Sequence, residues 1–422
     1  MLINTIASSN CGNGGEGGDG KGEGEGGNGG AGSGSGIYFS FSSNNTLIIT
    51  IVNSNCGYGG EGGDVPEDWY DGSGGMGYNG YGYGIHLYKS SNITLMNITA
   101  NSNCGYGGEG GSGGEDDRDI CGSGGNGYGY GIYLDGSNNS TLANIISKSN
   151  CGYGDLRGIY CYYGSNGDGY GYGIYLSSSN SNTVMENTAS SNCGFGSSAD
   201  IFHKRGYAGG EGCGYGIYLQ NSNNNIITNN IANSNHGIGG RGEDGSFIGD
   251  GGDAEGYGIY LSDKCNNNTL TDNTANSNYG IGGDAGYKEG GYGGDGGDGH
   301  GSGIFINKSS NNTFIDNTVS SNCGYGGNGS ADGSNGNGYG YGIRLSYSDD
   351  NKISDNYVAL NEISAIFMYR SNYSEISSNC ISVGRIDGIY MSESASNTLT
   401  GNNIWGCYYG IHLDYNLINN TI

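Results

Sequence analysis

"GIYLSDKCNNNTLTDNTANSNYG", residues 258–280, decides the fold. Ile259 and Leu261 project to one side of its opening element and Tyr260 to the other, the alternation of a strand with one buried face. A second short strand, Leu270 to Ala275, follows, and Asn/Ser clusters stand where turns are needed. A unit this short cannot bury its apolar side alone, so it must stack on copies of itself. The copies are present: the Ile of "GIYL" recurs at 37, 85, 132, 174, 217, 259, 304, 343, 366, 389 and 411. The last three intervals are 23, 23 and 22 residues, and the earlier ones, 39 to 48, carry an insertion. Asn, Gly and β-branched content exclude a helical repeat. The expected fold is an all-β parallel β-helix of about 11 coils, one domain over 1–422, with adjacent coils about 4.8 Å apart.

Stacking fixes which residues share a column. The apolar residue of "NTL" runs Leu2, Leu47, Leu95, Leu142, Val184, Ile227, Leu270, Phe314, Ile353, Ile376, Leu399 and Ile422. In the first eight coils a phrase such as "SNCGYGG" (54–60) follows at constant offset. It predicts an Asn ladder (Asn10, Asn55, Asn103, Asn150, Asn192, Asn235, Asn278, Asn322) beside a Cys ladder (Cys11, Cys56, Cys104, Cys151, Cys193, Cys323) interrupted by His236 and Tyr279. The Asn amides can hydrogen-bond from coil to coil at a corner that would otherwise be costly to bury. The Cys ladder reads first as small, buried, reduced side chains, because in-register neighbours have nearly parallel Cβ directions. Pairing with Cys121, Cys161, Cys213 or Cys265 is an alternative, and metal or redox chemistry a third.

Every such phrase opens a glycine-rich insertion from the same corner: 12–35, 57–83, 105–130, 152–172, 194–215, 237–257, 280–302 and 324–341, with 342–422 left as bare coils. Eight insertions in register are either flexible or stacked on one another as a flange, glycine permitting close backbone approach. Three contain "GGxGxD", ending at Asp19, Asp64 and Asp298. This resembles the calcium-binding nonapeptide of RTX proteins but lacks the large apolar residue two places on, where Lys21, Pro66 and His300 stand. Asp19, Asp64 and Asp298 are therefore weak Ca2+ candidates, collective cation binding by the acidic arms being the broader expectation.

The outward position of "GIYL" forms an aromatic ladder: Tyr38, Tyr133, Tyr175, Tyr218, Tyr260 and Phe305, with His86, Arg344, Phe367, Tyr390 and His412 at the remaining coils. It suits either cross-coil packing or contact with sugars or a neighbouring molecule. "GYGYG" before several strands resembles a potassium-channel filter, but no membrane segment accompanies it, and the likeness is set aside. Sequons at Asn44, Asn92, Asn97, Asn267, Asn311 and Asn328 are glycosylation candidates that also fall where turns favour Asn. For catalysis a β-helix needs convergent carboxylates. Asp135, Glu186, Asp263, Asp272, Asp316 and Asp349 are scattered over different phases, so no catalytic residue is assigned.

A formal charge of -26 with 15 Lys+Arg argues against nucleic-acid partners and anionic membranes. No run is long and apolar enough to span a bilayer, and "MLINTIASSN" has neither the basic nor the apolar segment of a signal peptide. Twelve cysteines without a Cys-x-x-Cys pair favour an oxidising compartment. The units "GIYLSSSNSNTVMENTASSN" (173–192 from the leading Gly) and "GIYLSDKCNNNTLTDNTANSN" resemble NosD-like right-handed β-helix repeats of archaeal and some bacterial cell-surface proteins. That resemblance implies a right-handed solenoid. The family spans copper-insertion, polysaccharide-acting and structural proteins.

Leu2 and Ile422 share one phase, and neither end, with Ile411 and Leu413 near the second, reads as a polar cap. An uncapped β-helix edge is a template for pairing. The expectation is a non-enzymatic structural subunit of an extracellular filament, sheath or surface layer, self-assembling head to tail, with acidic arms for lateral contacts or cations. The alternative is a cell-surface glycan-binding or polysaccharide-modifying protein.

Overall fold

The computed structural model describes all residues except 22–24, 66–71, 114–120, 157–163, 199–202, 288–292, 331 and 383–384. Strands are the regular elements of the described residues, all paired in parallel, and no helix is long and apolar enough to cross a membrane. They form a right-handed parallel β-helix. One 11-stranded sheet is built from the "GIYL" elements, from Gly32–Ser40 to Tyr409–Leu413. A second, 13-stranded sheet carries the "NTL" elements, and an eight-stranded sheet the "CGY" elements, Cys11–Asn13 to Cys323–Tyr325.

Register follows the sequence columns residue for residue. Leu2 pairs with Leu47, Leu47 with Leu95, Leu95 with Leu142, Leu142 with Val184 and so on to Leu399, whose neighbour Thr398 bridges Thr421. The interior is a continuous core in which each coil contributes Ile and Leu from "GIYL", the "NTL" residue and a small apolar residue such as Ala100, Ala189, Ala232 or Ala275. Coils with and without insertions continue the same columns, so the insertions leave coil geometry untouched.

The Asn/Ser richness has a backbone cause. Each coil turns its corners with residues in the left-handed region, which only Gly, Asn and Asp enter at low cost. One column of such residues runs Asn44, Asn92, Asn139, Ser181, Asn224, Asn267, Asn311 and a second Asn97, Asn144, Glu186, Asn229, Asp272, Asp316. The sequon residues Asn44, Asn92, Asn97, Asn267 and Asn311 are therefore turn residues, as are the coil carboxylates Glu186, Asp263, Asp272 and Asp316. The strands also reach further than the insertion bounds suggest: Gly80–Tyr88 and Gly127–Asp135 begin inside the stretches 57–83 and 105–130, so the "GYGY" residues are strand.

Candidate functional site: a glycine flange on side-chain ladders

The insertions pack on one another in a pattern of period three. In the first arm Gly14, Gly17 and Gly20 donate to the carbonyls of Tyr58, Glu61 and Asp64 in the next coil at 2.8 Å. Gly27 and Gly30, on the returning leg, donate to Gly18 and Gly15 of the outgoing leg at 2.7 Å. Gly60 and Gly63 of the second arm donate to Gly30 and Gly27 of the first at 2.8 Å. Each leg thus bonds to neighbours in the same arm and in adjacent coils, with no bond inside itself, the signature of a polyproline II strand of three residues per turn.

Inside the slab two of every three positions must be glycine for this, whereas a Cβ on Gly15 or Gly18 of the first arm meets nothing within 4 Å. A Cβ on Gly14 would lie 1.8 Å from the Gly30 oxygen, and one on Gly60 2.1 Å from the Gly15 oxygen. The third position points to solvent and holds Glu16, Asp19, Glu61, Asp64 and Glu109, all exposed. The described parts of the arms are thus a two-layered slab, and the "Gly-Gly-x" triplet is its sequence signature. A search for periods of 2 and 3.6 does not register it.

Part of the acid is used within this slab. The outward N–H of a third-position residue is capped by an Asp or Asn of the neighbouring coil. Asp64 N–H donates to Asp19 Oδ1 (3.2 Å), Ser112 N–H to Asp64 Oδ1 (2.8 Å), Asp298 N–H to Asp253 Oδ1 (2.7 Å) and Asn337 N–H to Asp298 Oδ1 (2.6 Å). The same cap runs from Asn79 through Asn126 and Asp168 to Glu211 N–H. Asp19, Asp64 and Asp298 are therefore backbone caps, the first two on outgoing legs and the third on a returning leg. A shallow groove of about 460 Å³ on the returning legs is lined by Glu211, Asp250, Asp253, Asp295 and Asp298. Among the described residues no group of three or more His, Cys, Asp or Glu is arranged to hold a metal ion. Asn328, in the last arm, donates to Asp284 Oδ1.

At the flange root, Asn10 to Asn322 form one ladder. Each donates its backbone N–H and its amide Nδ2 to the Oδ1 of the next: Asn192 to Asn235 at 3.1 and 2.9 Å, Asn235 to Asn278 at 3.0 Å for both. The ladder continues to Asn361, and members from Asn55 to Asn322 are buried. Two further Asn ladders, through Asn225 and Asn268 and through Asn230 and Asn273, line other corners.

The Cys column is in register: Cys11, Cys56, Cys104, Cys151, Cys193, His236, Tyr279, Cys323. The expectation of an all-reduced row is corrected at one place. Cys151 and Cys193 are disulfide-bonded, their Cα atoms 4.6 Å apart, within the range a disulfide spans. The Cα spacing permits the bond, and parallel Cβ directions do not prevent it. Cys11, Cys56, Cys104 and Cys323 are free thiols. Burial, then the neighbouring thiols Cys104 and Cys11, push the Cys56 thiol up to about 11. Of the off-ladder cysteines, Cys213 and Cys265 are free and buried, Cys121 is disulfide-bonded, and Cys161 lies outside the described residues. Cys265 has its own role in a serine column, accepting from Ser222 N–H at 3.3 Å.

The aromatic column stacks ring on ring. Tyr133–Tyr175, Tyr175–Tyr218, Tyr218–Tyr260 and Tyr260–Phe305 have centroids 4.8–4.9 Å apart and planes within 9°. His86 stacks on Tyr133, and Tyr38 begins the column tilted against His86. Arg344 continues it, its guanidinium 4.6 Å from the Phe305 ring. The ring faces are thus covered by the coils above and below, leaving edges and hydroxyls outward. Burial draws the His86 imidazole down to about 4, so it is neutral.

"GYGYG", set aside at the sequence level, supplies two further columns. Tyr83, Tyr130, Tyr172, Tyr215 and Tyr257 are buried beside the first column, and Tyr81, Tyr128 and Tyr170 stack outside them. The glycines between these tyrosines face the "CGY" sheet: a Cβ on Gly82 would meet the Cys104 oxygen at 2.1 Å.

At the two end coils Leu2, Ile411, Leu413 and Ile422 are exposed, together with Ile3, Ile6 and Ile418.

Residues 331–422 match the family model of the periplasmic copper-binding protein NosD. No curated protein sequence matches the chain. Among solved structures the chain is similar to a mutant of the periplasmic alginate epimerase AlgG, at 12% identity and TM-score 0.42, over 87% of this chain and 65% of that one. It is similar too to the A-module of the mannuronan C-5 epimerase AlgE6 of Azotobacter vinelandii (12%, 0.42, 91% and 84%). A third likeness is to the Dettilon tailspike protein (11%, 0.41, 90% and 61%). The chain thus spans less than two thirds of the AlgG mutant and of the tailspike.

Proposed function

We propose that this protein is a non-enzymatic structural element of an extracellular or cell-surface assembly, a stiff solenoid carrying a polyglycine flange along one edge. The observation that carries this reading is where the polar and aromatic groups are spent. Asn amides bond to Asn amides, flange carboxylates cap backbone N–H groups, and aromatic faces cover one another, each from coil to coil. Groups so engaged stiffen a rod. A sugar needs an exposed ring face to stack on, and the ladder offers edges, which speaks against the glycan-binding alternative.

Axial stacking of copies is the assembly mode this reading favours. The coils pair in parallel and in one register along the axis, an arrangement that a coil of another copy can continue. Electron microscopy of the native protein tests it. Filaments built along the solenoid axis, with the coil spacing of about 4.8 Å, are expected. Monodisperse rods that do not associate at high concentration, or rods that bind a glycan array, would overturn it.

A further inference from the structure

Five cysteines occupy five consecutive coils: Cys11, Cys56, Cys104, Cys151 and Cys193, each the Cα partner of the next. One bond joins them, Cys151–Cys193, and the next coil presents the free thiol of Cys104. The Cys104 thiol stands one coil from the bond: Cys104 and Cys151 are Cα partners in the same ladder as Cys151 and Cys193, whose Cα atoms are 4.6 Å apart, and the Cys104 Sγ lies 3.6 Å from the Ser102 carbonyl. Because the register is the same at every step, Cys104–Cys151 is as compatible with the backbone as Cys151–Cys193.

We propose that this disulfide is mobile, and that the column is a thiol–disulfide relay at the flange root. The Cys104 thiolate attacks Cys151 Sγ, forming the Cys104–Cys151 bond. The Cys151–Cys193 bond breaks, and its electron pair leaves on Cys193 Sγ, which takes up the proton Cys104 gave up. One disulfide and one thiol stand on each side, so no outside oxidant or reductant enters. The staple moves one coil and the free thiol two. On its far side Cys193 pairs with His236, whose Nδ1 lies 3.3 Å from the Ser234 carbonyl and so carries the ring proton. Burial raises the Cys104 thiol, so the exchange is slow at neutral pH and accelerates as pH rises, about tenfold per unit below the thiol pKa.

The test uses the full chain, held at mildly alkaline pH without reductant, quenched in acid, denatured and alkylated with N-ethylmaleimide before peptide mapping. Both linkages, Cys151–Cys193 and Cys104–Cys151, are expected within about tenfold of each other, with alkylated Cys193 appearing as alkylated Cys104 declines. Cys104→Ser should leave Cys151–Cys193 alone. Cys193→Ser, refolded in a glutathione buffer, should carry Cys104–Cys151 with an unchanged circular dichroism melt. Wild-type protein in which Cys193 is never alkylated and Cys104–Cys151 never appears, even after long alkaline incubation, would overturn the relay whether or not the variants fold.

Discussion

Gly108→Ala separates a slab of polyproline II legs from a bundle of flexible loops. The added Cβ would lie 2.2 Å from the Gly60 carbonyl oxygen, against backbone that cannot rotate out of the way. That oxygen accepts from Tyr78 N–H at 3.0 Å, and Gly108 N–H itself donates to the Tyr78 carbonyl at 2.9 Å. Restoring an ordinary contact pulls both bonds apart. Two hydrogen bonds at about 1 kcal/mol each, with about 1–3 kcal/mol for overpacking, give a local cost of about 3–5 kcal/mol. Amide hydrogen exchange at Tyr78, Gly108 and Gly125 should then accelerate by roughly a hundredfold to a thousandfold or more. Gly18→Ala is the control, since a Cβ there meets nothing within 4 Å, and it should leave exchange unchanged or slightly slower. Equal exchange in the two variants would refute the slab.

Three other outcomes follow from the ladders. Asn235→Ala leaves Asn192 N–H and Nδ2 without their acceptor in a buried column, and should cost about 3 kcal/mol in urea unfolding. Tyr172→Ala, in the buried column between Tyr130 and Tyr215, should cost about 3–5 kcal/mol, and Tyr38→Ala, more than half exposed, under about 1 kcal/mol. Burial raises the carboxyls of Asp155 and Asp168, both half-buried in the flange. The folded flange binds these protons more readily than the unfolded chain, so stability should rise as pH falls from neutral through the raised values, the gain being complete below the ordinary carboxylate range of about 4. A melting temperature that falls between about pH 7 and pH 5 would contradict that sign.

The coil was legible because side-chain columns require equal spacing from one landmark, and Leu2 to Leu399 pair as that spacing demands. The Asn column was legible for the same reason. The flange was not, because its ordering residue has no side chain: "Gly-Gly-x" buries backbone against backbone, and hydrophobic patterning has nothing to detect. The Tyr83 to Tyr257 column escaped for a different reason. Its tyrosines alternate with glycines, and only the close approach of the "CGY" sheet shows why the glycines are there. The Cys151–Cys193 bond turned on side-chain torsions that column spacing leaves free.

Each coil touches only the coils on either side, which has a mechanical consequence. Under tension applied at its ends such a rod should peel turn by turn, and the length released at each step is set by the spacing between paired residues. Bare coils such as Ile353 to Ile376 are 23 residues apart and would each pay out about 80 Å of chain. Flange coils such as Leu47 to Leu95, 48 residues apart, would pay out about 165 Å. The turn closed by Cys151–Cys193 would withhold its 42 residues while that bond lasts, so the position of one disulfide would be readable as a missing step in the extension record.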